Sequence, residues 1–232
     1  MITLKIAELA IGVEARYDYL PRLAKDYLTD EEPLFTVCAT DADIAKEREE
    51  SEDDFSPGYL ESIVVYRKIA ERLPKYDAFV FHGAVLGYDG YAYLFTAKSG
   101  TGKTTHTRLW LSEIGGDVHY LNGDKPIIRF IDGRPIAFGT PYRGKEGYGI
   151  NESLPIRSIA FLSRSEKNTA RTVGTEEIDT FLATQVYMPH DPLAAIRTLK
   201  LIDKLQRSVR LVALGCNMEP EAAHVAFAEM TK

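Results

Sequence analysis

Residues 97–104 read AKSGTGKT, and this octapeptide constrains the fold more than any other stretch of the chain. It fits the phosphate-binding pattern G-x-x-x-x-G-K-[ST], with Ala97 where the first glycine usually stands. A phosphate chain needs backbone N–H groups converging on it. Gly100 and Gly102 let the loop wrap closely, so that Ser99 through Thr105 form the expected nucleotide cradle. Lys103 is then a point charge for the β- and γ-phosphates, and the Thr104 hydroxyl a ligand for Mg²⁺.

Such a loop has mechanical meaning only between a strand and a helix, where the helix N-terminus faces the phosphates. Upstream, residues 91–96 (YAYLFT) form an aromatic-rich run of strand length. Downstream, residues 103–114 contain no breaker, place Leu109 on one stripe with Thr105, and end at Gly115-Gly116. The order strand, glycine loop, helix is therefore present.

The flanking segments refine the placement. Residues 78–87 read as one apolar strand, and Asp89-Gly90 favours a tight hairpin into residues 91–96. The strand entering the loop is then the second arm of an antiparallel hairpin, unlike the parallel βαβ opening of small GTPases. Asp132-Gly133 predicts a second hairpin, and residues 156–162 another strand. Helices are expected over residues 176–188, 192–207 and 220–230, with a strand over 210–214.

Residues 1–55 are expected to form a small α+β unit, with strand alternation at Ile2, Leu4 and Ile6 and a second apolar run at 34–39. Residues 56–232 are expected to form the nucleotide-binding domain. Between them, residues 46–54 (KEREESEDD) read as a solvated linker or exposed helix end. Ser56-Pro57 predicts a capped helix start, and that helix runs to Pro74.

The chain has 232 residues and a formal net charge of −6, which gives no electrostatic reason to expect nucleic acid or an anionic membrane as partner. Its two cysteines, Cys38 and Cys216, lie far apart without metal-ligand spacing and suggest a reducing compartment. The N-terminal apolar stretch, interrupted by Lys5 and Glu8, makes a poor signal peptide. A cytoplasmic location is expected.

Asp124 follows the apolar run ending in LNGD, twenty-one residues after Lys103. A carboxylate at a strand end is the usual second holder of a nucleotide's Mg²⁺, although the same residue also serves simply as a turn aspartate beside Gly123. The order FHGAVLGYDGYAYLFTAKSGTGKTT, LNGDKP, FGTPYRGK resembles the nucleotide-binding core of HPr kinase/phosphorylase and ATP-dependent phosphoenolpyruvate carboxykinase, and most of all their short kinase-like relatives. The resemblance covers residues 78–230 and implies a mixed-sheet α/β core with helices on both faces.

It also implies ATP with Mg²⁺ or Mn²⁺, a hydroxyl-bearing acceptor (a small molecule, peptide or small protein), and roles for further residues. His82 matches a histidine near the transferred phosphate or a metal, whereas the residues alone favour a packed strand position. Arg143 and Lys145, in a glycine-punctuated turn, become candidates to clamp the migrating phosphoryl group and the acceptor; solvated surface charge is the alternative. One departure stands out. HPr kinases carry two consecutive aspartates where this chain has Gly123-Asp124, so either another group such as His82 serves as base or phosphoryl transfer proceeds by positioning and charge neutralisation alone. Arg129 is a weaker candidate of the same kind as Arg143; His106 and Trp110, four apart on the helix after the loop, are expected to pack on a helix face, with leaning on the nucleotide or substrate as the alternative, and His119 and His190 carry no spacing argument. Decarboxylation of the carboxykinase type and non-catalytic nucleotide binding are the rival readings, and a homo-oligomer is left open.

Overall fold

In a computed structural model the described residues are 1–51 and 53–232; Glu52, within the charge-dense run, lies outside them. The chain is a mixed α/β protein built on two sheets. Strands β1 (Ile2–Ile6), β2 (Leu9–Glu14) and β3 (Phe35–Cys38) form a three-stranded sheet, β1 antiparallel and β3 parallel to β2. Helix α1 (Tyr19–Leu23) lies between β2 and β3, and α2 (Asp41–Glu50) follows. Helix α3 (Pro57–Arg72) starts as the sequence predicts, with the Ser56 hydroxyl accepting from Tyr59 N–H and proline in the first turn.

Residues 46–50 of the charge-dense run are a helix end, closing α2, but not a wholly exposed one: Glu47 is buried against Arg67 of α3. Residues 1–55 hold the whole small sheet, but their core does not stop there. Leu4, Ile6, Leu9 and Ile11 share one apolar cluster with Leu60, Val65 and Ile69 of α3 and with Ile127 and Phe138 beyond it.

The second sheet has nine strands: β4 (Ala78–Val80), β5 (Ala84–Tyr88), β6 (Tyr91–Thr96), β7 (His119–Asn122), β8 (Ile127–Ile131), β9 (Arg134–Phe138), β10 (Ser153–Arg164), β11 (Thr169–Thr172) and β12 (Arg210–Cys216). The long β10 bends the sheet. Its first residues pair antiparallel with β9, and its second half lies parallel between β6 and β12. Strand alternation then sends neighbouring side chains to opposite faces. Leu94, Ile159 and Leu211 face α5 (Asp179–Thr184) and α6 (Pro192–Ser208), while Phe95, Ala160 and Val212 face α4 (Lys103–Leu109), its continuation and α7 (Glu221–Met230). Helices therefore cover both faces.

Both Asp-Gly hairpins form: Asp89 and Gly90 have φ of 47° and 73°, joining β5 to β6, and Asp132 and Gly133 join β8 to β9. Three expectations fail. Residues 78–87 are two strands, because after Val80 the backbone turns to new partners: Phe81 N–H donates to Pro126 and Gly83 N–H to Asp124. Gly83 also packs so tightly that a Cβ there would lie 2.8 Å from the Phe95 carbonyl oxygen. The helix expected over 176–188 is only a 3₁₀ turn and the short α5. The buried residues of α4 are His106 and Thr107, with Thr105 exposed and Leu109 half-buried, and the helix continues into a π-helical turn, Trp110–Ile114, that buries Trp110. No helix among the described residues is long and apolar enough to cross a membrane.

Candidate functional site

The loop between β6 and α4 is held in shape from both ends. Gly100 (φ 75°) and Gly102 (φ 115°) occupy the left-handed region, and a Cβ at either would meet nothing within 4 Å. Conformation, not crowding by the protein, is what calls for glycine there. The Thr101 hydroxyl donates to the Lys98 carbonyl at 2.7 Å. Arg164, at the end of β10, donates from Nη2 to the Gly100 carbonyl at 2.5 Å and from Nε to that of Thr101 at 3.4 Å. The Thr101 N–H also donates to the Lys98 carbonyl, at 3.2 Å, so the turn closes on itself while Arg164 takes two of its carbonyls. Inside α4, the Thr107 hydroxyl lies 2.8 Å from that of Tyr120 on β7 and fastens the helix to the sheet.

Asp124 is aimed by a neighbour that spacing arguments overlooked. Asn122, fully buried, accepts at Oδ1 from the N–H groups of Asp124 (2.9 Å) and Lys125 (2.8 Å). Its amide donates to the Thr140 hydroxyl at 3.1 Å. The Lys125 carbonyl in turn accepts from the hydroxyls of Thr140 (2.8 Å) and Tyr66 (2.7 Å). The Asn-Gly-Asp turn in LNGD was a visible signal for this Asx arrangement.

His82 reaches the same place from the break between β4 and β5. Its N–H donates to the Gln185 carbonyl at 2.7 Å, and its own carbonyl lies 3.0 Å from the Thr96 hydroxyl. The imidazole Nε2 stands 3.6 Å from Asp124 Oδ1, while Lys125 Nζ lies 3.1 Å from Oδ2. Burial, reinforced by the charges of Lys103 and Lys125, holds the His82 imidazole below its usual range, with Asp124 opposing. Burial likewise lowers Lys103, against the pull of Asp124.

His82, Lys103, Thr104, Asp124 and Lys145 all line one cavity of about 1160 Å³. Ser99 to Gly102 do not line it, and Thr105 is exposed on the helix. Lys145 is exposed. Arg143 also borders the cavity but is turned toward residues 1–55: its guanidinium lies 3.6 Å from Asp26 and 6.0 Å from the centre of the Tyr27 ring. Arg129 is outside the site, donating to the Ala7 carbonyl at 2.8 Å. His106 and Trp110 are packed core, and His119 and His190 pair with Glu152 and Glu71.

Gly123 has a steric reason. A Cβ there would lie 3.1 Å from the Arg143 carbonyl oxygen and 3.3 Å from that of Tyr148. An aspartate at this position would be pressed between two carbonyl oxygens.

The donor set suits a hard cation that keeps part of its water shell. Thr104 and Asp124 offer two protein oxygens on one wall, and among the described residues no cluster of three or more His, Cys, Asp or Glu forms a full protein cage. Mg²⁺ typically takes one or two protein ligands and completes its octahedron with phosphate oxygens and water.

The fold and site together define a mixed α/β protein with a cavity, at the start of α4, lined by cations and a carboxylate. The sequence matches no protein-family model and no curated protein. Among solved structures, the HPr(Ser) kinase/phosphatase from Coxiella burnetii is similar over 55% of this chain and 97% of that one, at 13% identity and a TM-score of 0.32. This is a distant likeness of fold.

Proposed function

We propose that the chain is an ATP- and Mg²⁺-dependent phosphotransferase that moves the γ-phosphate to a hydroxyl. The observation that carries the reading is convergence: Lys103 and Thr104 from the loop, Asp124 after β7 and His82 before β5 face one cavity. Loop N–H groups and Lys103 bind the phosphates, and Thr104 with Asp124 would hold the metal, which supplies charge neutralisation on the transferring group.

The acceptor oxygen bonds to the γ-phosphorus as that phosphorus parts from the β–γ bridging oxygen, and ADP leaves. The acceptor proton passes to His82 Nε2, an imidazole that burial holds below its usual range. Asp124, 3.6 Å away, then faces the imidazolium it helps to stabilise. Gly123 thus forfeits no chemistry that His82 does not supply. Lys145 and, once released from Asp26, Arg143 are the cations for the migrating phosphoryl group.

The test is a titration of purified protein with a fluorescent ATP analogue and Mg²⁺, with phosphorus NMR following products from a pool of alcohols. Binding lost in Lys103→Ala, and a new phosphomonoester lost in His82→Ala, are the expected results. Nucleotide binding that is absent, or unchanged by Lys103→Ala, would overturn the reading.

A further inference from the structure

The cavity meets the glycine loop only at Lys103 and Thr104, the end assigned to the β- and γ-phosphates and the metal. Whatever fills the rest of it therefore approaches from the acceptor side, opposite the nucleoside. At about 1160 Å³ it also exceeds the roughly 300–1,000 Å³ of a site for one drug-sized ligand.

Its far wall is made by α1, α3 and the residue before the α3 cap. Tyr19 meets Tyr59 edge-on at 5.8 Å between ring centres, and Phe55 lies 4.5 Å from Tyr59. Leu23 and Ile63 border the same space. The polar groups of this wall are turned into the protein. The Ser62 hydroxyl donates to the Tyr59 carbonyl at 2.6 Å, and the Tyr142 hydroxyl to that of Ser62 at 3.0 Å. The Tyr66 hydroxyl is spent on the Lys125 carbonyl, and Arg67 Nη1 pairs with Glu47. Among the described residues the Tyr19 and Tyr59 hydroxyls and the remaining N–H groups of the half-exposed Arg67 are what that wall has left without a protein partner. A polyhydroxylated acceptor needs a dense set of free donors and acceptors to replace its water, and rejecting it is the natural property of a wall that has used most of its own.

We propose that this aromatic wall is the acceptor subsite, and that the acceptor is a small alcohol carried on a flat apolar body, an aryl alcohol, rather than a sugar or polyol. The proposal rests on the phosphotransferase reading for its orientation, not for the binding it forecasts. Tyr59 and Phe55 take the ring, and the hydroxyl points across the cavity toward His82 and Asp124.

The probe is a trifluoromethyl-substituted benzyl alcohol followed by fluorine NMR line broadening on the full chain, with and without a non-hydrolysable ATP analogue and Mg²⁺. A fluorinated hexose serves as the polar comparison. The aryl probe is expected to broaden and the hexose not. Tyr59→Ser and Phe55→Ser should each weaken the aryl probe by about tenfold or more, the scale of removing one buried aromatic ring, while nucleotide binding and the circular dichroism spectrum stay unchanged. An aryl probe that does not bind the wild-type chain, binds both variants equally well, or is displaced by the hexose overturns the subsite. Nucleotide binding that fails while the aryl probe still binds this wall would instead overturn the phosphotransferase reading and leave the wall's chemistry standing.

Discussion

At the scale of single residues, the least explained group is His106. It is 2% exposed, neither ring nitrogen has a hydrogen-bond partner, and it sits against Phe95 on the helix that follows the glycine loop. Burial alone lowers its pKa from 6.5 to about 4. The folded chain therefore keeps it neutral while the unfolded chain takes up a proton below about pH 6.5. Stability is lost as pH falls across that window, by roughly 3 kcal/mol once pH 4 is reached. His106→Leu should flatten the pH dependence of urea unfolding between pH 6.5 and 4; an equally steep dependence would show that other groups are responsible. Gly123 is the second residue whose surroundings decide its role. Gly123→Asp places a Cβ and a carboxylate against two backbone oxygens that cannot rotate away. It should destabilise the fold by about 1–3 kcal/mol, as overpacking does, and leave phosphotransfer no faster. A variant as stable as the wild type and quicker to transfer would mean that the missing carboxylate does limit catalysis.

At the scale of elements, the glycine loop was legible because strand, loop and helix are contiguous in the chain and each carries its own local pattern. The Asp-Gly hairpins were legible for the same reason. The break after Val80 was not, since residues on both sides of it are apolar and the turn is set by distant partners, Pro126, Asp124 and Gln185. That break is what brings His82 to Asp124, so the placing of His82 depends on a feature no local pattern announces. Arg164 is the clearest case. It lies 64 residues beyond Gly100 and reaches the loop only because β10 runs parallel to β6. Its two hydrogen bonds end on exposed loop carbonyls. Arg164→Ala should therefore weaken nucleotide binding roughly three- to tenfold, on the scale of about 0.5–1.5 kcal/mol for a net hydrogen bond, with unfolding free energy changed by no more than about 0.5 kcal/mol. Arg164→Lys should recover part of the affinity. If nucleotide affinity were untouched, the loop would hold its shape without help from β10.

At the scale of the whole molecule, the question is whether residues 1–55 are an appendage or part of the body that carries the site. Their sheet is separate, but their side chains complete the core of α3, which packs on β3, α1 and α2. They also grip the loop that carries the candidate cations: Asp26 faces Arg143, the Asn151 amide donates to the Asp26 carbonyl at 2.7 Å, and the Tyr27 hydroxyl to that of Ile150 at 3.3 Å. Removing residues 1–55 would uncover Leu60, Val64, Val65 and Ile69. At about 1.5–3 kcal/mol for each buried aliphatic side chain the loss is on the order of 6–12 kcal/mol, comparable with the roughly 5–15 kcal/mol that holds a typical protein folded. A chain of residues 56–232 should therefore lack dispersed amide NMR signals and bind no ATP analogue. Asp26→Ala in the full chain, by contrast, should fold normally, because Asp26 is half-exposed and its pairing with Arg143 is a surface contact worth at most about 1 kcal/mol. Its consequence belongs to the site: freeing Arg143 should change the affinity for nucleotide while leaving the melting temperature nearly where it was. A truncated chain that folds and binds nucleotide as well as the full one would make residues 1–55 a separable domain and remove any reason to assign them a part in holding the Arg143 loop.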